Sequence, residues 1–248
     1  TKPGWYENRS KITKAVFDVS FADYRPTSTA CWFYNCGRLE SIDGMENLNT
    51  SSVTNMQAMF RFCKVLKSVD LSHFDTSNVT NMGFMFCYCE SLTNIDVSTF
   101  NTEKVTDMQH MFHTCPVTVL DLSGFDTHNV TLTNTMFSDC YNLKTIYGSR
   151  ALWSNKKMTP SKSSYMFYRC NVLVGGMGTK FSSKHIDCVY AIIDDGPTVN
   201  PGYLTDPLPA QKEAYAVYKD NVLTFYYDNL IRTRTGNIYR YNAGEFRS

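Results

Sequence analysis

Hydrophobic positions along this chain follow two alternating periods. In Leu66-x-x-Val69-Asp70-Leu71-x-x-Phe74, the apolar residues at 69 and 71 flank a polar one, the period of a short strand with one buried face. The pattern returns as Leu92-x-x-Ile95-Asp96-Val97-x-x-Phe100 and Val117-x-x-Leu120-Asp121-Leu122-x-x-Phe125. Degraded copies are Leu39-x-x-Ile42-Asp43-Gly44 and Leu143-x-x-Ile146-Tyr147-Gly148. Behind the best copy comes Asp75-Thr76-Ser77-Asn78-Val79-Thr80-Asn81-Met82-x-x-Met85-Phe86-x-x-Cys89. There Val79, Met82, Met85, Phe86 and Cys89 fall at helical spacing, which predicts one apolar face of a short helix. The Asp, Thr, Ser and Asn just ahead of it supply N-cap side chains. Each unit therefore reads as strand, turn, short helix and return.

A Phe-x-x-Cys signature closes every unit. It stands at Phe33–Cys36, Phe60–Cys63, Phe86–Cys89, Phe112–Cys115, Phe137–Cys140 and Phe167–Cys170, about 26 residues apart with one longer interval before Phe167. Repetition at that period predicts stacked units that share one continuous core, since no single unit can bury its own apolar face.

Leu-x-x-Leu-x-Leu followed by a helical turn is the leucine-rich-repeat pattern. With Phe-Asp-Thr-Ser-Asn-Val-Thr-Asn-Met and Met-Phe-x-x-Cys in addition, residues 15–175 or so resemble the BspA-like leucine-rich-repeat surface proteins of bacteria. The likeness extends more loosely through Asn200-Pro201-Gly202-Tyr203-Leu204-Thr205 and the Tyr-rich tail. It implies an α/β fold, a right-handed leucine-rich-repeat-type solenoid of about six coils. It also implies a cell-surface or secreted location and adhesion to host or neighbouring-cell macromolecules. The expected partners are extracellular-matrix proteins or cell-surface glycans. A rigid spacer cassette within a larger surface protein is the alternative.

Two domains are expected: a repeat domain with its caps over 1–206, and a small Tyr-rich β module over 207–248. The boundary rests on Asp206-Pro207-Leu208-Pro209, a linker of restricted backbone. Beyond it, Ala214–Tyr218 and Val222–Tyr227 are β-prone runs around a Lys219-Asp220-Asn221 turn. Tyrosines concentrate there at 215, 218, 226, 227, 239 and 241. In the resembled family such a segment is similar to an inter-cassette element.

The formal net charge of +1 gives no basic footprint for nucleic acid and no acidic tail. No apolar run reaches the roughly 18–20 residues of a membrane span. Thr1-Lys2-Pro3-Gly4-Trp5 reads as the start of a fragment or a mature region. The chain is expected to be monomeric, to be no enzyme, and to need no cofactor or metal.

Nine cysteines in an exported protein ordinarily suggest disulfides. Here six of them form one in-register column. Neighbouring coils would lie roughly 4.8 Å apart, whereas a disulfide wants Cβ atoms about 3.8 Å apart in a turned geometry. They read as reduced, buried small hydrophobes, with Cys31, Cys87 and Cys188 outside the column. Cys87 and His113 share a register position and read as two exposed neighbours. That couple underlies a remote Cys–His enzyme reading, which lacks an orienting third residue. Cys87-x-Cys89 and His110-x-x-His113 with Cys115 nearby suggest a metal reading, but Cys89 and Cys115 belong to the buried column and four closing ligands are lacking. Gly175-Gly176-Met177-Gly178-Thr179 lacks the lysine of a phosphate loop and reads as the end of the repeats. The sequons at Asn8, Asn49, Asn78 and Asn129 read mostly as repeat capping chemistry.

The candidate binding residues lie on the face opposite Val69 and Leu71. A middle column reads Asp43, Asp70, Asp96, Asp121 and Tyr147, with Asp18 as a possible first member. Beside it stand Ser68, Asn94, Ser72, Ser98 and Ser123. Strands disfavour Asp and like charges on adjacent strands repel, so the column needs a reason. Two are available: the aspartates hydrogen-bond to nearby serines and turn amides as part of the folding code, or they form an acidic, hydroxyl-rich ligand face.

Overall fold

The structure, a computed structural model, describes residues 3–207, 213–228 and 237–240. Among them the longest helical element is a single five-residue 3₁₀ turn, Val19–Asp23. Strands form three small sheets. β1 (Lys14–Val16) pairs in parallel with β2 (Ser41–Asp43). β3 (Val119–Leu122), β4 (Thr145–Gly148) and β5 (Leu204–Thr205) form a parallel sheet in that order. β6 (Glu213–Lys219), β7 (Val222–Asp228) and β8 (Asn237–Arg240) form an antiparallel sheet in the order β7-β6-β8. Apart from four three-residue 3₁₀ turns, the rest of the described chain is turn, isolated bridge and irregular backbone. The expected α/β leucine-rich-repeat solenoid is therefore not the fold: the predicted helices are absent, and no strand forms at Val69–Leu71 or Ile95–Val97.

The reason lies in where the amides of each Phe–Cys segment go. In one unit Met59 N donates to Met56 O, Arg61 N to Ala58 O and Cys63 N to Phe60 O, each three residues back. The alternate amides donate sideways: Met56 to Asn81 O, Ala58 to Gly83 O, Phe60 to Met85 O and Phe62 to Cys87 O. Gln57 N completes the set through Asn55 Oδ1 at 2.9 Å. Every amide from 56 to 63 is thus satisfied without the i→i−4 bonds of an α-helix. Left-handed backbone makes this geometry possible. Ala58 (φ 55°) and Phe62 (φ 64°) have positive φ, as do the equivalent pairs in all six units, from Cys31 and Asn35 to Tyr165 and Arg169. Positive φ belongs at the third residue of type II turns and ends any right-handed helix.

The inward side chains make continuous columns. Phe33, Phe60, Phe86, Phe112, Phe137 and Phe167 stack with centroids 5.5–5.9 Å apart and planes within 16°. Ring edges close both ends, Phe17 on Phe33 at 6.3 Å and Tyr203 on Phe167 at 5.0 Å. Next to the rings, from the second unit on, each column cysteine thiol donates to the Phe carbonyl of the unit before it: Cys63 to Phe33, Cys89 to Phe60 and Cys115 to Phe86, all at 3.2 Å, and Cys140 to Phe112 and Cys170 to Phe137 at 3.0 Å.

Where the first half of the unit lacks a strand ladder, a buried threonine column substitutes. Thr76 Oγ1 donates to Asn101 O at 2.9 Å and accepts from Asn101 N at 2.8 Å. Thr50 does the same to Asp75, and Thr127 to Ser154. One hydroxyl therefore clamps both backbone groups of a residue in the next unit.

The repeats end against a knot around buried Asp194. Its carboxylate accepts from Met177 N, Thr179 N, Thr179 Oγ1 and Gly196 N at 2.6–3.0 Å. A Cβ at Gly175 would collide with this carboxylate and with Gly202 O, and one at Gly202 would collide with Ile192. The glycine-dense stretch thus wraps a charge. Further on, Asp220 and Asn221, both with positive φ, make the tight turn between β6 and β7, the conformation that two-residue hairpins favour. The linker's Leu208-Pro209 and Tyr241 of the tail lie outside the described residues.

Thr76→Val is expected to destabilise the chain by about 1–2 kcal/mol, because two backbone groups lose their partner. Thr80→Val, at an exposed position, should stay within about 0.5 kcal/mol. Urea denaturation of the two variants separates the cases; equal midpoints would remove the clamp.

Candidate functional site

The sequence-predicted aspartates are exposed at 43, 70, 96 and 121, as are Ser68, Ser72, Asn94 and Ser98; Ser123 and Tyr147 are half-buried. Their geometry is that of turns. Asp70 Oδ1 accepts from Ser72 N at 2.9 Å and Ser72 Oγ at 2.7 Å. Asp96 accepts from Ser98 N and Asp121 from Ser123 N, both at 3.0 Å, and Asp18 from Ser20 in the same way. These are Asx turns. The Ser72 hydroxyl and amide hold the Asp70 carboxyl below the usual range, and the Ser98 amide and hydroxyl do so for Asp96, against the repulsion of Asp70. Asp43 instead pairs with Lys14 at 2.6 Å. Tyr147 stands beside Asp121 across β3 and β4. Two further turns of this kind recur per unit, at Asn49, Asp75, Asn101 and Asp126, and at Asn55, Asn81 and Asp107. The sequon residues Asn78 and Asn129 donate to Ser51 O and Glu103 O of the preceding unit.

All nine cysteines are free. Cys87, expected at the surface, is buried at 1% exposure, and burial pushes its thiol up to about 12. That is the opposite of an activated nucleophile. His113 Nδ1–H donates to Ser138 O at 2.9 Å, so the ring is engaged with backbone rather than with Cys87.

A second surface emerges that the sequence did not single out. Most of the variable positions of the Phe-x-x-Cys segments, and of the residues two before the Phe, reach the surface, with Ala58, Cys87 and Ser138 buried instead. Stacking brings Tyr34, Arg61, Phe62, Phe84, Tyr88, His110 and His113 together from units about 26 residues apart. Phe62 stacks on Tyr88 at 4.8 Å and Phe84 on His110 at 4.4 Å. Tyr34 meets Phe62 edge-on at 6.1 Å, and Tyr88 meets His113 edge-on at 4.8 Å. Tyr6 extends the row over Tyr34 at 6.3 Å. Arg61 lies over Phe84, Phe62 and Tyr34. Burial, the neighbouring His113 and Arg61 bring His110 down to about 4, so it is neutral at neutral pH. Toward the later units the band becomes polar: Asp139 accepts from Tyr141 and Ser138 at 2.8 Å and pairs with Arg169 at 3.3 Å. The signal available in the sequence was the run of Tyr, Arg, Phe and His at positions that the repeat leaves variable.

This is a helix-poor, turn-built repeat protein whose outward positions carry an aromatic and cationic band. A family model described as Mycoplasma protein of unknown function, DUF285, matches residues 27–150 and 120–193, together more than half of the chain. The chain belongs to that family. The BspA-like leucine-rich-repeat resemblance is corrected accordingly, both by this match and by the absence of the repeat's helices. No curated protein and no solved structure matches the chain. Among the described residues, no helix is long and apolar enough to cross a membrane, and no three His, Cys, Asp or Glu side chains converge as metal ligands.

Two outcomes are expected. Folded-state carboxyls held low contribute stability above their unfolded value near 3.8 and lose it as pH falls through the folded value. Asn also makes Asx turns, so Asp70→Asn/Asp96→Asn should melt like the parent at pH 7 and lose less stability below pH 4. An unchanged acid limb would remove the turn assignment. In thiol labelling of the native chain, Cys31 should react first, because the other eight are buried. Early labelling of Cys87, read by peptide mass mapping, would contradict its burial.

Proposed function

We propose that the chain is a non-enzymatic binding protein that recognises macromolecules of a host or neighbouring cell through a face built by its repeats. The observation that carries this reading is the band from Tyr34 to His113. Tyrosine and arginine dominate energetic hot spots of protein interfaces. Here they are fixed by stacking on a scaffold whose amides are already satisfied, so little ordering cost remains for binding. The proposed site is thus the aromatic band, with the aspartate face as the second candidate. Matrix proteins and cell-surface glycans are the partner classes in view. The proposal places the protein at the cell surface or secreted. Burial of eight of its nine cysteines would keep them from oxidation there.

A spacer role is the second reading, and one observation favours it. The aspartates that looked free to bind are tied into turns at 70, 96 and 121, which makes that face part of the folding code.

The test is a binding screen of the chain against immobilised matrix proteins and glycans, beside Tyr88→Ser and Asp70→Lys/Asp96→Lys variants of verified fold. A signal reduced about tenfold or more in Tyr88→Ser and retained in the aspartate variant is the expected result. Loss in the aspartate variant alone would move the site to that face. No binding by the parent chain would leave the spacer.

A further inference from the structure

Arg61 stands where two columns of rings end. Its guanidinium carbon is 4.9 Å from the centroid of Phe62 and 4.6 Å from that of Phe84. Behind these rings lie Tyr88 and His110, stacked on them in turn. Tyr34 approaches from the preceding unit, 5.8 Å away. The Nε atom is sealed from solvent without a hydrogen-bond acceptor. Three other cations of the repeats have acidic partners, Lys14 with Asp43, Lys64 with Glu90 and Arg169 with Asp139, while Lys104 and Lys157 reach out to the exposed amides of Asn78 and Asn129. Among the described residues Arg61 has none within ion-pair distance. His110 is uncharged at neutral pH, so it adds no competing cation and offers no counter-charge.

The result is a half-buried cation, held in place and without an acid. The surrounding rings spend their faces on one another and on Arg61. What they have left to offer a ligand is their edges, which carry the positive end of the ring quadrupole. Closed faces argue against sugar rings lying flat on the aromatics. A positive edge beside an uncompensated guanidinium argues for a negative group, and the apolar surround strengthens such a pair by excluding water.

We propose that Arg61, ringed by Tyr34, Phe62 and Phe84 with Tyr88 stacked behind Phe62, is the docking point for a Glu or Asp side chain of a polypeptide partner. This rests on the binding reading above and names its ligand chemistry. The carboxylate meets the terminal NH₂ groups of Arg61, since Nε is closed off, and the partner's flanking apolar atoms cover the ring edges. Arg61 then acts as an anchor with its conformation already set.

The experiment uses the full chain and a short fluorescent oligoglutamate peptide, read by anisotropy at low and high salt. An oligoglutamine peptide and heparin run beside it, and Arg61→Gln, Arg61→Lys and Tyr88→Ser are compared with the parent. The parent should bind oligoglutamate at least tenfold more tightly than oligoglutamine, with affinity falling as salt rises. Arg61→Gln should lose about tenfold or more. Arg61→Lys keeps the charge but loses the planar fork, so it should fall between the two. Equal binding of both peptides, or oligoglutamate binding untouched in Arg61→Gln and Arg61→Lys, would overturn the inference. Heparin binding without oligoglutamate binding would overturn it in favour of an anionic glycan. If a hit from the matrix and glycan screen is lost in Tyr88→Ser but kept in Arg61→Gln, the binding band stands and the carboxylate assignment fails.

Discussion

Every second amide of the Phe–Cys segments is committed to the neighbouring unit, and the rest of the structure follows from that division. Met56, Ala58, Phe60 and Phe62 donate sideways while their alternates close local turns. A right-handed helix would have to take all of these donors back. The left-handed residues that recur at two positions per unit are the conformational cost of the arrangement. It is offset by lateral hydrogen bonds, by the thiol donation to each Phe carbonyl and by an unbroken column of rings. The ends of that column need edge-on partners, and Phe17 and Tyr203 supply them. The buried Asp194 carboxylate then organises the chain around Tyr203 by accepting from four backbone amides, those of Met177, Thr179, Gly196 and Gly202.

Division of labour among the side chains has the same origin. Inward positions carry Met, Phe and Cys with little freedom, because each must match the unit above and below. The Asp, Asn and Thr positions are equally constrained, being consumed in Asx turns and backbone clamps. Only the residues between Phe and Cys, and the one two before Phe, are left by the scaffold to vary. Stacking gathers these from distant parts of the chain into a band at ring-contact distance. Chemistry for recognition collects there because the fold constrains the backbone of these positions, with positive φ at Phe62, Phe84 and Tyr88, while leaving the outward side chains free to vary.

Burial of the cysteines illustrates how the same constraint governs reactivity. Cys89 and Cys87 are two residues apart and both are buried, the first donating its thiol to Phe60 O. Both thiols are raised by burial. The His113 Nδ1–H of the Cys–His couple read from sequence register is directed to the Ser138 carbonyl.

The period, the six Phe–Cys units, the inward set from Val79 to Cys89 and the reduced state of the cysteines were legible in the sequence, because apolar spacing and repetition encode burial directly. The local conformation was not. Val79, Met82, Met85, Phe86 and Cys89 suit one face of a helix, but the same spacing also suits a chain of turns with positive φ at Phe84 and Tyr88. The choice between them depends on amides bonding to residues about 26 positions away, which no local pattern records. The aspartate column was visible from the sequence, with turn formation as one of its two readings; hydrogen-bond geometry at Ser72, Ser98 and Ser123 showed that those turns form. The band around Arg61 stood in the sequence only as aromatic and basic residues at variable repeat positions, and the tertiary structure brought them together. Its residues share no motif, and only the stacking of one unit on the next sets a guanidinium against rings from three of them.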